Sequence, residues 1–125
     1  MSAPDYHEVI AIEKRMKDAA RKLHSMAGEV GMAITIIDYD SDRRKNLLAR
    51  YAVKHIKAGE SATAADALAR SDAAYKTELN ELASTYEQAQ ATRKQWDAEY
   101  CSWDTARSLL ARQRVTMDTM PETEA

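Results

Sequence analysis

Along the C-terminal half of the chain, apolar residues return at alternating steps of three and four. The seam reads Leu68, Asp72, Tyr75, Leu79, Leu82, Tyr86, Ala89, Arg93, Trp96, Tyr100, Trp103, Arg107, Leu110, Arg114 and Met117. Eleven of these fifteen are apolar or aromatic, where a 45% hydrophobic composition would supply about seven. Such steps hold side chains on one helix face, and a sustained 3.5-residue period describes a helix that winds left-handedly against partners. No glycine or proline falls between Gly59 and Pro121. The pattern predicts a helix over about 62–118, roughly 80 Å long if continuous. That is more seam than the rest of a 125-residue chain can cover, so the expectation is assembly with other copies.

Upstream, Val9, Ile12, Met16, Ala19, Leu23, Met26, Val30 and Ala33 keep the same spacing. They predict a first helix over about 5–38, weakened at Gly28 and Gly31 by about 1 kcal/mol each relative to alanine. The run Ala33-Ile34-Thr35-Ile36-Ile37 has strand propensity, but a lone strand finds no partner in this chain, so it is assigned to the helix. Asp38-Tyr39-Asp40-Ser41-Asp42 reads as a helix boundary, with Asp40 or Ser41 capping a second helix over about 42–58. Gly59 is a natural stop. Ser61 or Thr63 caps the third helix, with Asp66 as a capping-box-like partner of Thr63. Asp66/Arg70 and Asp72/Lys76 add support at i,i+4. The expected fold class is therefore all-α: three helices, the last long and coiled-coil-like, in a helical bundle or oligomer. A single elongated domain over 1–120 is followed by a tail at 121–125 expected to be disordered.

Composition agrees with that class: no phenylalanine, three glycines, two prolines, and abundant Ala, Glu, Lys, Arg and Leu. The net charge is −2, but it is segregated. Arg43, Arg44, Lys45, Arg50, Lys54 and Lys57 stand against Asp42, a local +5 over 41–58. Residues 60–87 carry a local −4, and Asp118, Glu122 and Glu124 close the chain without compensation. One cysteine, Cys101, excludes an internal disulfide and suits a reducing cytoplasm. No apolar signal core opens the chain and no stretch is long and uncharged enough to span a membrane.

Catalytic and metal-binding signatures are missing. His7, His24 and His55 share no ligand spacing, and the chain has no CxxC, HExxH or glycine-rich phosphate loop. Asp38, Asp40 and Asp42 imitate the start of a calcium loop, but Arg43 stands where glycine is needed and Ala49 where the bidentate glutamate is needed. No cofactor or metal is expected, and no enzyme.

Two segments carry functional expectations. The basic segment, with Arg43, Arg44, Lys45, Arg50, Lys54 and Lys57, suits phosphate contact with counterion release, and Tyr51 among them suits stacking on a base. A solvated helix face, neutralised by the acidic 60–87 stretch within a hairpin or between subunits, is the competing reading. The second segment is the Arg/aromatic stretch Arg93, Trp96, Tyr100, Trp103, Arg107, Leu110 and Arg114. Aromatics at heptad spacing suit an oligomer core with arginines reaching out or pairing with a neighbour's acids. Single-stranded nucleic acid on aromatic and arginine side chains is the alternative.

Leu48-Ala49-Arg50-Tyr51 followed by Gly59, and Tyr100-Cys101-Ser102 running into Arg107 and Arg112, resemble the UvsY-type phage recombination mediators. The layout over about 10–118 is similar too: a helix, a basic segment, a glycine turn and a long C-terminal helix. The resemblance implies a homo-oligomer assembled through the C-terminal helices. It also implies single-stranded DNA bound by the basic segment, and a role in helping a recombinase replace a single-strand-binding protein. By position, Arg50 is the DNA contact it implies; the other cations follow from local charge alone. The host cytoplasm is the implied location. The family's departures here are a negative overall charge and a basic segment confined to one stretch. A coiled-coil scaffold or adaptor without a nucleic-acid role stays open, as does a small inhibitor of a host enzyme whose acidic 60–87 face mimics nucleic acid.

Overall fold

The computed structural model describes residues 6–119, with side chains described through Thr116. The tail at 121–125 and the seam position Met117 therefore lie outside the described side chains. The chain is all-α, with no strand among the described residues: α1 (Tyr6–Lys57), α2 (Ala62–Ser71) and α3 (Ala73–Thr119). The β-branched 33–37 run is helical, as its lack of a partner strand requires.

Two boundaries differ from the expected ones. Helices expected over 5–38 and 42–58 are one continuous α1. Asp40 does not cap; its carboxylate accepts from Arg44 Nε one turn on, at 2.9 Å. An i,i+4 pair of this kind sustains a helix where a cap would begin one. Conversely, the helix expected over 62–118 breaks at Asp72, which leaves helical geometry at φ −66°, ψ 126°. Its N–H still donates to Ala69 O at 3.2 Å, while its Oδ1 accepts from Ala74 N at 2.9 Å. One residue thus closes α2 and caps α3, so the side chain placed in the seam, and paired with Lys76, is instead spent on the backbone. Ser71 Oγ turns back to Ala67 O and Leu68 O, which favours ending a helix there.

The other ends follow the sequence. Gly59 has φ +101°, and Gly59 N donates to Ile56 O at 3.0 Å while Glu60 N donates to His55 O at 3.1 Å. These two bonds make a Schellman motif, which needs a residue tolerant of positive φ at that point. Ser61 caps α2, its Oγ accepting from Ala64 N at 3.3 Å; Thr63 lies inside the helix.

Contacts divide the chain into two units, Glu29–Arg93 and the pair of segments Met1–Gly28 with Lys94–Ala125. In the first, Leu47, Tyr51, Ala69 and Tyr75 form the core, with Leu48, Ala52, Leu79 and Leu82 packed against it. The Tyr51 and Tyr75 rings meet edge to face, centroids 5.8 Å apart, a favoured aromatic geometry. In the second, Ile12, Ala106 and Leu110 are the core, flanked by Val9, Met16 and Leu109.

The α3 seam keeps its sevenfold positions but shifts its intermediate ones. Tyr75, Leu82, Ala89, Trp96, Trp103 and Leu110 are buried or half-buried, as expected. Between them in the C-terminal part, the inward residues are Thr92, Glu99, Ala106 and Gln113, whereas Arg93, Tyr100, Arg107 and Arg114 are exposed. The seam steps three then four, not four then three. Alanine fits against Ile12 and Leu110 where arginine would bury a charge without a partner.

Candidate nucleic-acid interface

The basic segment lies on α1 within the Glu29–Arg93 unit. Arg43, Arg50 and Lys57 recur every seven residues and all are exposed. Lys45 is exposed on a neighbouring face. Their availability differs. Arg44 is half-buried and held by Asp40. Arg50 Nη2 reaches Glu78 Oε2 on α3 at 2.8 Å. Arg43, Lys45 and Lys57 form no ion pair with described residues.

Arg43, Asn46 and Arg50 of α1 face Glu78, Glu81 and Thr85 of α3 across a cleft of about 450 Å³ floored by Leu47 and Leu82. Glu78 is its electrostatic hub. A hydrogen bond from Tyr51 is the main reason its carboxyl lies below the usual carboxylate range; burial opposes it, and the Arg50 guanidinium and the nearby Lys54 ammonium add to the lowering. The same hydrogen bond raises the Tyr51 hydroxyl above 10.0, helped by partial burial and by the Glu78 charge. The acidic stretch therefore does neutralise part of the basic segment, within the chain, at Arg50.

Tyr51 is a correction. The expectation that it stacks on a base fails, because only 7% of it is exposed. Tyr75 packs against its ring, and Lys54 Nζ stands 4.4 Å from its centroid. It belongs to the core. The exposed aromatic of this face is Tyr39, one turn before Arg43 and 56% exposed. The sequence pattern hides it, because 38–42 reads as a boundary; the unbroken α1 puts Tyr39, Asn46 and Val53 in line beside Arg43, Arg50 and Lys57.

The Arg/aromatic stretch falls on α3. Leu110 is buried against Ile12 and Ala106 of its own chain. Trp96 and Trp103 are half-buried, and Arg93, Tyr100, Arg107 and Arg114 are exposed. Trp103 lies beside Tyr100, centroids 5.8 Å apart, and beneath the Arg107 guanidinium at 5.4 Å. Arg107 also pairs with Asp104 at 2.9 Å, so it finds its acid one turn away in the same helix. Cys101 is free and exposed. No helix among the described residues is long and apolar enough to cross a membrane. No protein-family model, curated protein or solved structure matches this chain.

Proposed function

We propose that the protein is a non-enzymatic, oligomeric recombination accessory that holds single-stranded DNA along the exposed cationic face of α1. There it assists a recombinase in replacing a single-strand-binding protein. The observation that carries this reading is the row Arg43, Arg50 and Lys57 on one continuous helix. Cations at a fixed rise track a phosphate backbone without reading sequence, and the exposed Tyr39 beside them supplies a sequence-tolerant stacking face. Arg43 and Lys57 are open to phosphate at once, whereas Arg50 exchanges Glu78 for it.

Fluorescence anisotropy with a labelled oligo(dT), titrated over a range of salt, tests the reading. Binding should weaken steeply with salt. The double variant Arg43→Gln/Lys57→Gln should flatten the log–log slope by about 1.4, since each neutralised phosphate of a single strand contributes about 0.7. No binding by the wild-type chain at low salt refutes it.

A coiled-coil adaptor without DNA is the second reading. It is favoured by Met32, Tyr39 and Val53, exposed on one sevenfold line of α1 that Asn46 interrupts, with Ile56 alongside, a seam for another helix. It predicts indifference to DNA at every salt concentration.

A further inference from the structure

A second cationic row lies at the start of α1, in the unit formed by Met1–Gly28 and Lys94–Ala125. Lys14, Arg15, Lys17, Arg21 and Lys22 stand against Glu13 and Asp18, a local +3 in ten residues. The −2 net charge of the chain hides it.

Four of the five cations divide by what they face, and Lys14 stands between the two groups. Arg15 Nε donates to Ser102 Oγ at 3.3 Å, and Lys22 Nζ reaches Glu99 at 3.4 Å. Both are directed toward α3. Lys17 and Arg21 line a surface hollow with Ile10 and the acids Glu13 and Asp18, and Lys14 borders both this hollow and the one that holds Arg15 and Lys22. Lys14 and Lys17 have no ion pair with a described residue, and Arg21 has only Asp18, at 3.9 Å with the Arg21 side chain 80% exposed. Tyr6, 69% exposed, and Ile10, 62% exposed, continue the row toward the N-terminus at steps of four. An exposed tyrosine leading into spaced cations repeats the arrangement of Tyr39 with Arg43 and Arg50.

We propose that Tyr6, Lys14, Lys17 and Arg21 form a second binding row for the phosphate backbone of single-stranded nucleic acid. This rests on the DNA-binding reading above and adds a site to it. Nucleic acid fits better than an anionic membrane because the apolar face of this stretch is already used. Val9, Ile12 and Met16 pack with Ala106, Leu109 and Leu110, leaving Tyr6 and Ile10 as the apolar groups beside the cations. An interfacial helix needs its apolar face to enter the headgroup boundary; phosphate tracking does not.

The experiment uses the full chain, labelled oligo(dT) and a salt titration. Lys14→Gln/Lys17→Gln/Arg21→Gln should reduce the slope of log Kobs against log salt by about 2, three phosphates at about 0.7 each. The charge-preserving variant Lys14→Arg/Lys17→Arg/Arg21→Lys should keep the wild-type slope. The single variant Lys17→Gln should reduce the slope by about 0.7 and guards against misfolding of the triple variant, whose helicity is followed by circular dichroism. Wild-type binding with an unchanged slope in the Gln variants overturns the second row and leaves the first reading standing. Absence of any wild-type binding overturns both. Binding to phosphatidylserine vesicles that the triple variant abolishes, with its DNA slope unchanged, assigns the row to lipid and overturns the proposal.

Discussion

The shifted seam of α3 yields a test at two adjacent residues. Ala106 is fully buried against Ile12 and Leu110, while Arg107 is exposed. The four-then-three spacing of the sequence pattern would reverse these roles. Consider Ala106→Leu. Leucine and alanine have nearly equal helix propensity, so the change reports packing with little intrinsic helix effect. The site shows no exposed surface into which a longer side chain can grow, and overpacking of this kind costs about 1–3 kcal/mol. At about 4 °C per kcal/mol for a chain of this size, the melting temperature should fall by about 4–12 °C. Arg107→Ala removes an exposed i,i+3 pair with Asp104 and an exposed contact over Trp103. Each is worth roughly 0.5 kcal/mol, and alanine's higher helix propensity returns part of that. Its melting temperature should stay within about 4 °C of wild type. Thermal unfolding by far-UV circular dichroism, at matched protein concentration, gives both values. Ala106→Leu at wild-type stability together with a strongly destabilised Arg107→Ala refutes the register.

Glycine and carboxylate substitutions extend the tests to α1, its C-terminal turn and the N-terminal part of α3. Gly28 and Gly31 sit inside α1 with open space around the position a Cβ would take, so each Gly→Ala change should stabilise by about 0.8–1 kcal/mol. The same change at Gly59, whose φ is +101°, should destabilise by about 1–2 kcal/mol; chemical denaturation of the three variants distinguishes these signs. Glu78 holds its proton less tightly when folded than when unfolded. Its contribution is therefore present above the ordinary carboxylate pKa and lost as pH falls through the lower, folded one. Glu78→Gln should flatten the acid limb of a stability-against-pH curve, and an unchanged acid limb argues against the Glu78 hub.

Much of the fold is legible in the sequence because local chemistry and pattern agree. Gly59 and Ser61 mark the α1–α2 turn, since a positive φ and an N-cap oxygen each have few suppliers. The all-helical class follows from periodicity and from the absence of any partner for the 33–37 run. The differences come from acidic residues with two uses. Aspartate either caps a helix or pairs along one, and its choice depends on neighbours: Asp40 takes Arg44, whereas Asp72 takes the Ala74 N–H. The seam's intermediate positions shift for a related reason. Among the adjacent intermediate positions of α3, hydrophobicity favours Tyr100 over Glu99, and a regular four-then-three step then carries Arg93, Arg107 and Arg114 into the seam with it. Packing favours the face where Ala106 meets Ile12 and Leu110. At the candidate site the cations are legible from charge alone. Their partners are not, because the Arg50–Glu78 contact spans 28 residues. The exposure of Tyr39 follows from helix continuity, whereas Tyr51 is buried by Leu47, Ala69 and Tyr75, the latter two distant from it in sequence.

The unbroken α1 also sets how the chain can change length. Each residue turns a helix by about 100°. Removing one residue between Ala33 and Leu47, both buried, would leave one facing the core and swing the other, with Arg43 and Arg50, about a quarter turn away. An insertion of seven residues nearly restores the face; smaller ones do not. Descendants of this sequence should therefore vary in length at Gly59–Glu60, where the backbone already turns, or in whole heptads. A gap of one or two residues inside α1 would mark a chain that has lost this surface.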